Sequence, residues 1–182
     1  MKKTISVFMI AALVATCLSS CNEKKKSQVI IAPKPSVPKP KKTQELSSYE
    51  QTRDIEWLGK SYQVVMKRVA DHELPVVECD DHSKYYDNKI TIKVLREDST
   101  EFFNRAFLKS DFTAYLDEHT KKMGTLLGIV FVGVKNDVLC FAGSVGSPDV
   151  TSDEYVPLVI KINRMGAVSI AKDTQLDTAG EE

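Results

Sequence analysis

The stretch Asn88-Lys89-Ile90-Thr91-Ile92-Lys93-Val94-Leu95-Arg96 decides the fold class. Ile90, Ile92 and Val94 alternate with Thr91, Lys93 and Leu95, the two-residue period of a strand with one face turned inward. Glu97-Asp98-Ser99-Thr100 follows as a polar turn, and Phe102 to Phe107 reads as the returning partner. An antiparallel hairpin is therefore the unit from which the rest is built.

Upstream, the folded body begins near Tyr49 to Asp54, and residues 57–69 read as one long strand rich in β-formers. Residues 74–79 give a short strand led by Pro75, and Asp80-Asp81-His82-Ser83 a turn. Downstream the pattern predicts one helix. Ser110 is its N-cap and Asp111 favours the positive end of the dipole. Phe112, Tyr115, Leu116 and His119 form one face, Lys121 and Lys122 fill the last turn, and Gly124 supplies a left-handed end.

Residues 126–134 are apolar on both faces and read as a central strand. Further strands are expected at 138–145, 155–163 and 167–171, with Pro157 marking an edge or bulge. The fold class is α+β, mainly antiparallel β: a curled meander of about eight strands, half-barrel or sandwich, with one helix packed on it. The expected division is a signal peptide at 1–20, a Lys/Pro-rich linker at 21–50, one β-rich domain at 51–174 and a polar tail at 175–182.

Charge is unevenly spread along this neutral chain. Residues 22–50 carry seven lysines against three glutamates, whereas 51–182 carry 16 Lys and Arg against 22 Asp and Glu. An acidic body offers no electrostatic footprint for nucleic acid. Pro33, Pro35, Pro38 and Pro40, interleaved with lysines, favour an extended polyproline spacer.

Familiar catalytic motifs are missing: no Walker A loop, G-x-G-x-x-G, H-E-x-x-H or G-x-S-x-G. The run Ala142-Gly143-Ser144-Val145-Gly146-Ser147 has two serines but no local base. Glu78-Cys79-Asp80-Asp81-His82, with Asp87 and Asn88, offers mixed metal donors at a spacing that matches neither a calcium loop nor a zinc site. His119 on the apolar helix face reads as a hydrogen-bonded core histidine, and His72 as solvent-facing. Trp57, Tyr62, Tyr85 and Tyr86 are candidates for a cleft lining or a plain core rim. No catalytic residue, metal site or cofactor is assigned. Cys79 and Cys140 leave two readings open, a disulfide or two separate buried thiols.

The N-terminus starts Met1-Lys2-Lys3, runs apolar through Val7 to Val14 and ends in Leu18-Ser19-Ser20-Cys21. This resembles the lipobox of bacterial lipoproteins. The resemblance implies removal of residues 1–20 and lipidation, with palmitate-type acyl chains, of Cys21. Asn22-Glu23-Lys24-Lys25-Lys26 is basic where surface-export signals of such proteins tend to be acidic. Trp57-Leu58-Gly59-Lys60-Ser61-Tyr62, Tyr85-Tyr86-Asp87-Asn88, Phe107-Leu108-Lys109-Ser110-Asp111-Phe112 with Tyr115-Leu116, and Phe141 onward to Pro148 and Asp153 resemble a family of Bacteroidales lipoproteins of unknown function. That resemblance, over roughly residues 55–172, implies an exported, mostly β domain. The expectation is a lipid-anchored cell-envelope protein at the outer membrane, on its periplasmic face or at the cell surface. It is read as a non-catalytic binding or accessory module for an envelope protein, glycan or small ligand. The alternative is an envelope hydrolase whose catalytic residues are scattered in sequence. The membrane is engaged through the lipid on Cys21.

Overall fold

The computed structural model describes residues 42–174. The signal peptide, Cys21, the linker prolines and the tail expected at 175–182 lie outside the described residues.

Among the described residues ten strands form three antiparallel sheets, none closed. The first sheet has the order β1-β2-β5-β6, from β1 (Tyr49–Trp57), β2 (Lys60–Ala70), β5 (Asn88–Arg96) and β6 (Glu101–Phe107). The second has the order β10-β9-β8-β7, from β7 (Thr125–Lys135), β8 (Val138–Gly146), β9 (Tyr155–Ile162) and β10 (Val168–Lys172). β3 (Val77–Glu78) and β4 (Lys84–Tyr85) make a small separate hairpin. Val64 and Met66 of β2, Ile90, Ile92 and Val94 of β5, and Phe107 of β6 are buried in one cluster with Ile129, Phe141, Leu158 and Ile160 of the second sheet. The alternation that announced β5 thus supplies one wall of a core shared by both large sheets.

Several expectations change. The strand expected over 57–69 is two strands. Leu58 and Gly59 both have positive φ (53° and 70°) and join Trp57 to Lys60 as a two-residue hairpin turn. β1 escaped notice because Glu50, Gln51, Thr52, Arg53, Asp54 and Glu56 are exposed, and charge is what an edge strand carries. Ordered contacts also begin before residue 51. Gln44 pairs in parallel with Tyr85, and the Arg68 guanidinium donates to Ser47 O.

The single helix is two short pieces, a 3-10 helix over Lys109–Tyr115 and α1 over Glu118–Met123. Leu116 and Asp117 between them are extended. Leu108, not Ser110, caps the first piece, its N–H bonded to the Asp111 carboxylate at 2.8 Å. Phe112 and Leu116 are buried as the spacing required, but His119 is exposed. Gly124 has φ −84°, so its reason is space: an added Cβ would stand 2.6 Å from Thr120 O.

β7 is an edge strand, not a central one. β9 is flanked on both sides, and Pro157 lies one residue past the last β10 rung, Lys172↔Leu158, where Asp173 N still donates to Pro157 O at 2.9 Å. The proline stands at the end of the β10 ladder, so the edge or bulge it suggested is not formed.

Candidate functional site: an acidic cleft between three loops

α1, the β3–β4 turn and the β8–β9 loop come from distant parts of the chain and enclose a cleft of about 190 Å³. Each wall is set by local chemistry. Asp117 caps α1, accepting from Thr120 N at 2.8 Å and Thr120 Oγ1 at 2.9 Å. The backbone bond from Thr120, then its hydroxyl, hold the Asp117 carboxyl below the usual range. In the β3–β4 turn, Asp81 accepts from Ser83 N at 2.8 Å, and His82 takes a positive φ of 61°. In the β8–β9 loop, Asp149 accepts from Thr151 N and Thr151 Oγ1, both at 2.9 Å, and Ser147 N donates to Glu154 O at 3.0 Å. Backbone at Gly124 and Gly146 also lines the cleft. A Cβ at Gly146 would stand 2.2 Å from Glu154 O, so only glycine permits that approach.

His119, near the start of α1, points between two walls. Its Nε2 lies 3.9 Å from Asp80 Oδ2 and 3.9 Å from Glu154 Oε2. Asp81 and Asp149 add two more acidic side chains, and no Lys or Arg is among the described lining residues. The His119 side chain is 55% exposed and those of Asp80 and Glu154 are 80% and 78% exposed, so water screens these contacts. At 3.9 Å they are ion-pair distances, longer than hydrogen bonds.

The cleft gathers three sets of residues that sequence reasoning weighed separately: the Cys79–Asp81 stretch, His119, and Ser147 at the end of the small-residue run. It does not join them into a nucleophile and base. Ser147 Oγ accepts from Asp149 N, Ser152 Oγ accepts from Glu154 N, and neither bonds His119 among the described residues. Burial pushes the Cys79 thiol up, which disfavours the thiolate needed for attack. Cys79 and Cys140 are both free and buried.

Other candidates go elsewhere. His82 bonds Glu78 at 3.1 Å, and that bond, followed by the nearby Lys84, lowers the Glu78 carboxyl. Among the described residues no set of three or more His, Cys, Asp or Glu is placed to hold a metal. Asp87 turns inward to accept from Leu126 N, and Asn88 donates to Leu126 O. His72 bonds Glu45 at 3.0 Å and stacks on Tyr86. Trp57 is buried, donating Nε1–H to Asp137 O at 3.0 Å, with Tyr62 edge-on to its ring. Sequence reasoning missed Asp149, Ser152 and Glu154. The available signal was the density of Ser, Asp and Thr at 147–154, which favours side-chain-to-backbone turns.

No curated protein matches the chain at a significant level. Residues 29–170, most of the chain and all three walls of the cleft, match one family, and the chain therefore belongs to it: the family described as a domain of unknown function (DUF4738).

Proposed function

We propose that the chain is a lipid-anchored cell-envelope protein of the Bacteroidales type whose β domain is a non-catalytic binding module. Leu18-Ser19-Ser20-Cys21 supports the anchor, and the basic residues after it favour the periplasmic face of the outer membrane over the cell surface. The lysines of the spacer are attracted to anionic headgroups at roughly 1 kcal/mol each near the surface.

The observation that carries the binding role is the acidic cleft: four carboxylates and one histidine, without Lys or Arg among the described lining residues. Such a lining suits a ligand or partner segment that presents an amine or guanidinium. Catalysis is the weaker reading because no serine in the cleft is bonded to His119 among the described residues.

Two measurements test the proposal. Cys21→Ala is expected to abolish incorporation of labelled fatty acid, and equal labelling of both chains would remove the anchor. Titration with a trilysine peptide is expected to show salt-sensitive binding that the Asp80→Asn, Glu154→Gln double variant loses. Binding unaffected by that double variant would remove the cleft from the proposal.

A further inference from the structure

A second concave site lies at the hairpin-turn end of the first sheet. β2 and β5 are neighbours and their last rung pairs Tyr62 with Arg96. The β1–β2 turn and the β5–β6 turn therefore rise side by side. Between them is a hollow of about 340 Å³ lined by Lys60, Ser61, Tyr62, Arg96, Glu97 and Asp98. A second hollow of about 310 Å³ shares Ser61, Tyr62, Arg96 and Glu97. Both fall in the size range of small-ligand pockets, roughly 300–1,000 Å³.

Two planar groups in this groove are held in advance. The Tyr62 ring meets Trp57 edge-on at 5.0 Å and Phe102 at 6.1 Å. The Arg96 guanidinium lies 5.4 Å over the Phe102 ring and donates to Thr100 Oγ1 at 3.3 Å and Glu101 O at 2.8 Å. Asp98 is fixed by accepting from Thr100 N at 3.0 Å, and its bonds from Thr100 hold its carboxyl low and ionised. Lys60, Glu97 and the Tyr62 hydroxyl have no hydrogen bond or ion pair among the described residues. The groove thus combines preset surfaces, which lower the ordering cost of binding, with polar groups that have no partner among the described residues.

Charge decides the ligand class. Lys60 and Arg96 are balanced by Glu97 and Asp98. An anion gains from the first pair and is repelled by the second, and a cation meets the reverse. A neutral polyhydroxyl ligand uses both: its hydroxyl oxygens accept from Lys60 and Arg96, and its O–H groups donate to the carboxylates. The Tyr62 ring then offers an apolar flank to the C–H face of a sugar ring. We infer that the groove between the β1–β2 and β5–β6 turns binds a neutral saccharide. This site is separate from the acidic cleft, and neither depends on the other.

The test is titration of the full chain with chitotriose and with maltotriose, followed by fluorescence of Trp57, the single tryptophan, whose ring touches Tyr62. Saturable binding of at least one is expected. Lys60→Ala and Glu97→Ala are each expected to weaken it about tenfold, the worth of one charge-assisted hydrogen bond. Both side chains are exposed, so unchanged unfolding midpoints serve as the folding control. His119→Ala, in the acidic cleft, is expected to leave saccharide affinity unchanged, which separates this site from the other. Absence of binding by both sugars overturns the inference. So does binding that survives Lys60→Ala and Glu97→Ala, or tighter binding of a sulfated or an amino-bearing analogue.

Discussion

The two halves of β7 meet opposite fates. From Leu126 to Ile129 its outer edge is sealed by side chains of the first sheet and the segments joined to it. Asp87 accepts from Leu126 N at 2.9 Å, Asn88 donates to Leu126 O at 2.9 Å, and Arg68 donates to Leu127 O. Tyr49 Oη accepts from Ile129 N at 3.3 Å and donates to Ile129 O at 3.1 Å. From Val130 onward every second residue turns outward, with Val130, Val132 and Val134 at 45%, 57% and 37% exposure, while Phe131 between them packs on the core. An edge strand carries a row of unpaired backbone groups that invites a foreign strand. The first half answers with side chains in place of a strand. Each half also carries a register shift, between Leu126 and Gly128 and between Phe131 and Gly133; at the second, which lacks such side-chain cover, Gly133 φ reaches 153°, a bulge of the kind that blunts an edge.

The largest loss is expected from a change at Asp87. Its side chain is 6% exposed, accepts from Asn88 N as well as Leu126 N, and pairs with Lys109 at 3.3 Å. Lys109 in turn donates to Gly124 O at 2.6 Å, tying the same seam to the end of α1. Asp87→Ala removes one member of a buried pair and takes the acceptor from two amides, those of Asn88 and Leu126. It is expected to cost about 3–5 kcal/mol in urea unfolding of the lipid-free chain. A loss comparable to that of a surface substitution would show that the seam does not hold the two sheets together.

The seam also shows where sequence reading reaches its end. The β5–β6 hairpin with its Glu97-Asp98-Ser99-Thr100 turn and the buried positions Phe112 and Leu116 were legible because their signals are local: a two-residue period, turn chemistry, helical spacing. β7 looked central because apolar residues on both faces usually mean burial on both faces. Nothing local reveals that Tyr49, some eighty residues away in sequence, stands where a neighbouring strand would be. The helix broke at Leu116 and Asp117 because Asp117 is a stronger cap for a new start than a mid-helix residue, and that change turned His119 from core to cleft. The cleft itself was visible only in pieces. Cys79 to Asp81, His119 and Ser147 meet through tertiary structure, and no spacing encodes that meeting.

Tyr49→Phe perturbs the sealed half of β7 more gently. It keeps the ring, with Arg68 4.8 Å above it, and deletes only the hydroxyl that serves both Ile129 N and Ile129 O. Two part-buried hydrogen bonds, each worth about 0.5–1.5 kcal/mol net, give an expected loss of about 1–3 kcal/mol. Hydrogen exchange at the Ile129 amide is the direct readout. Faster exchange there, with little change at core amides of β8, is expected of a local seam. Unchanged protection would mean that the hydroxyl is incidental to the edge.

Val132→Thr is the smallest effect and completes the contrast. Val132 is more than half exposed, whereas Ile129, in the sealed half, is fully buried. Thr keeps the β-branched shape that suits a strand, so backbone propensity is nearly unchanged. Its hydroxyl meets water, and no buried apolar contact is lost. The expected change in unfolding free energy is within about 0.5 kcal/mol, typical of surface substitutions. The same substitution at Ile129 would place a hydroxyl in the shared core and leave a cavity, with a far larger loss. If Val132→Thr instead destabilises as strongly as the Tyr49 change, the outer half of β7 is covered in the folded chain. The difference between the two halves would then lie in what seals them, with both edges closed.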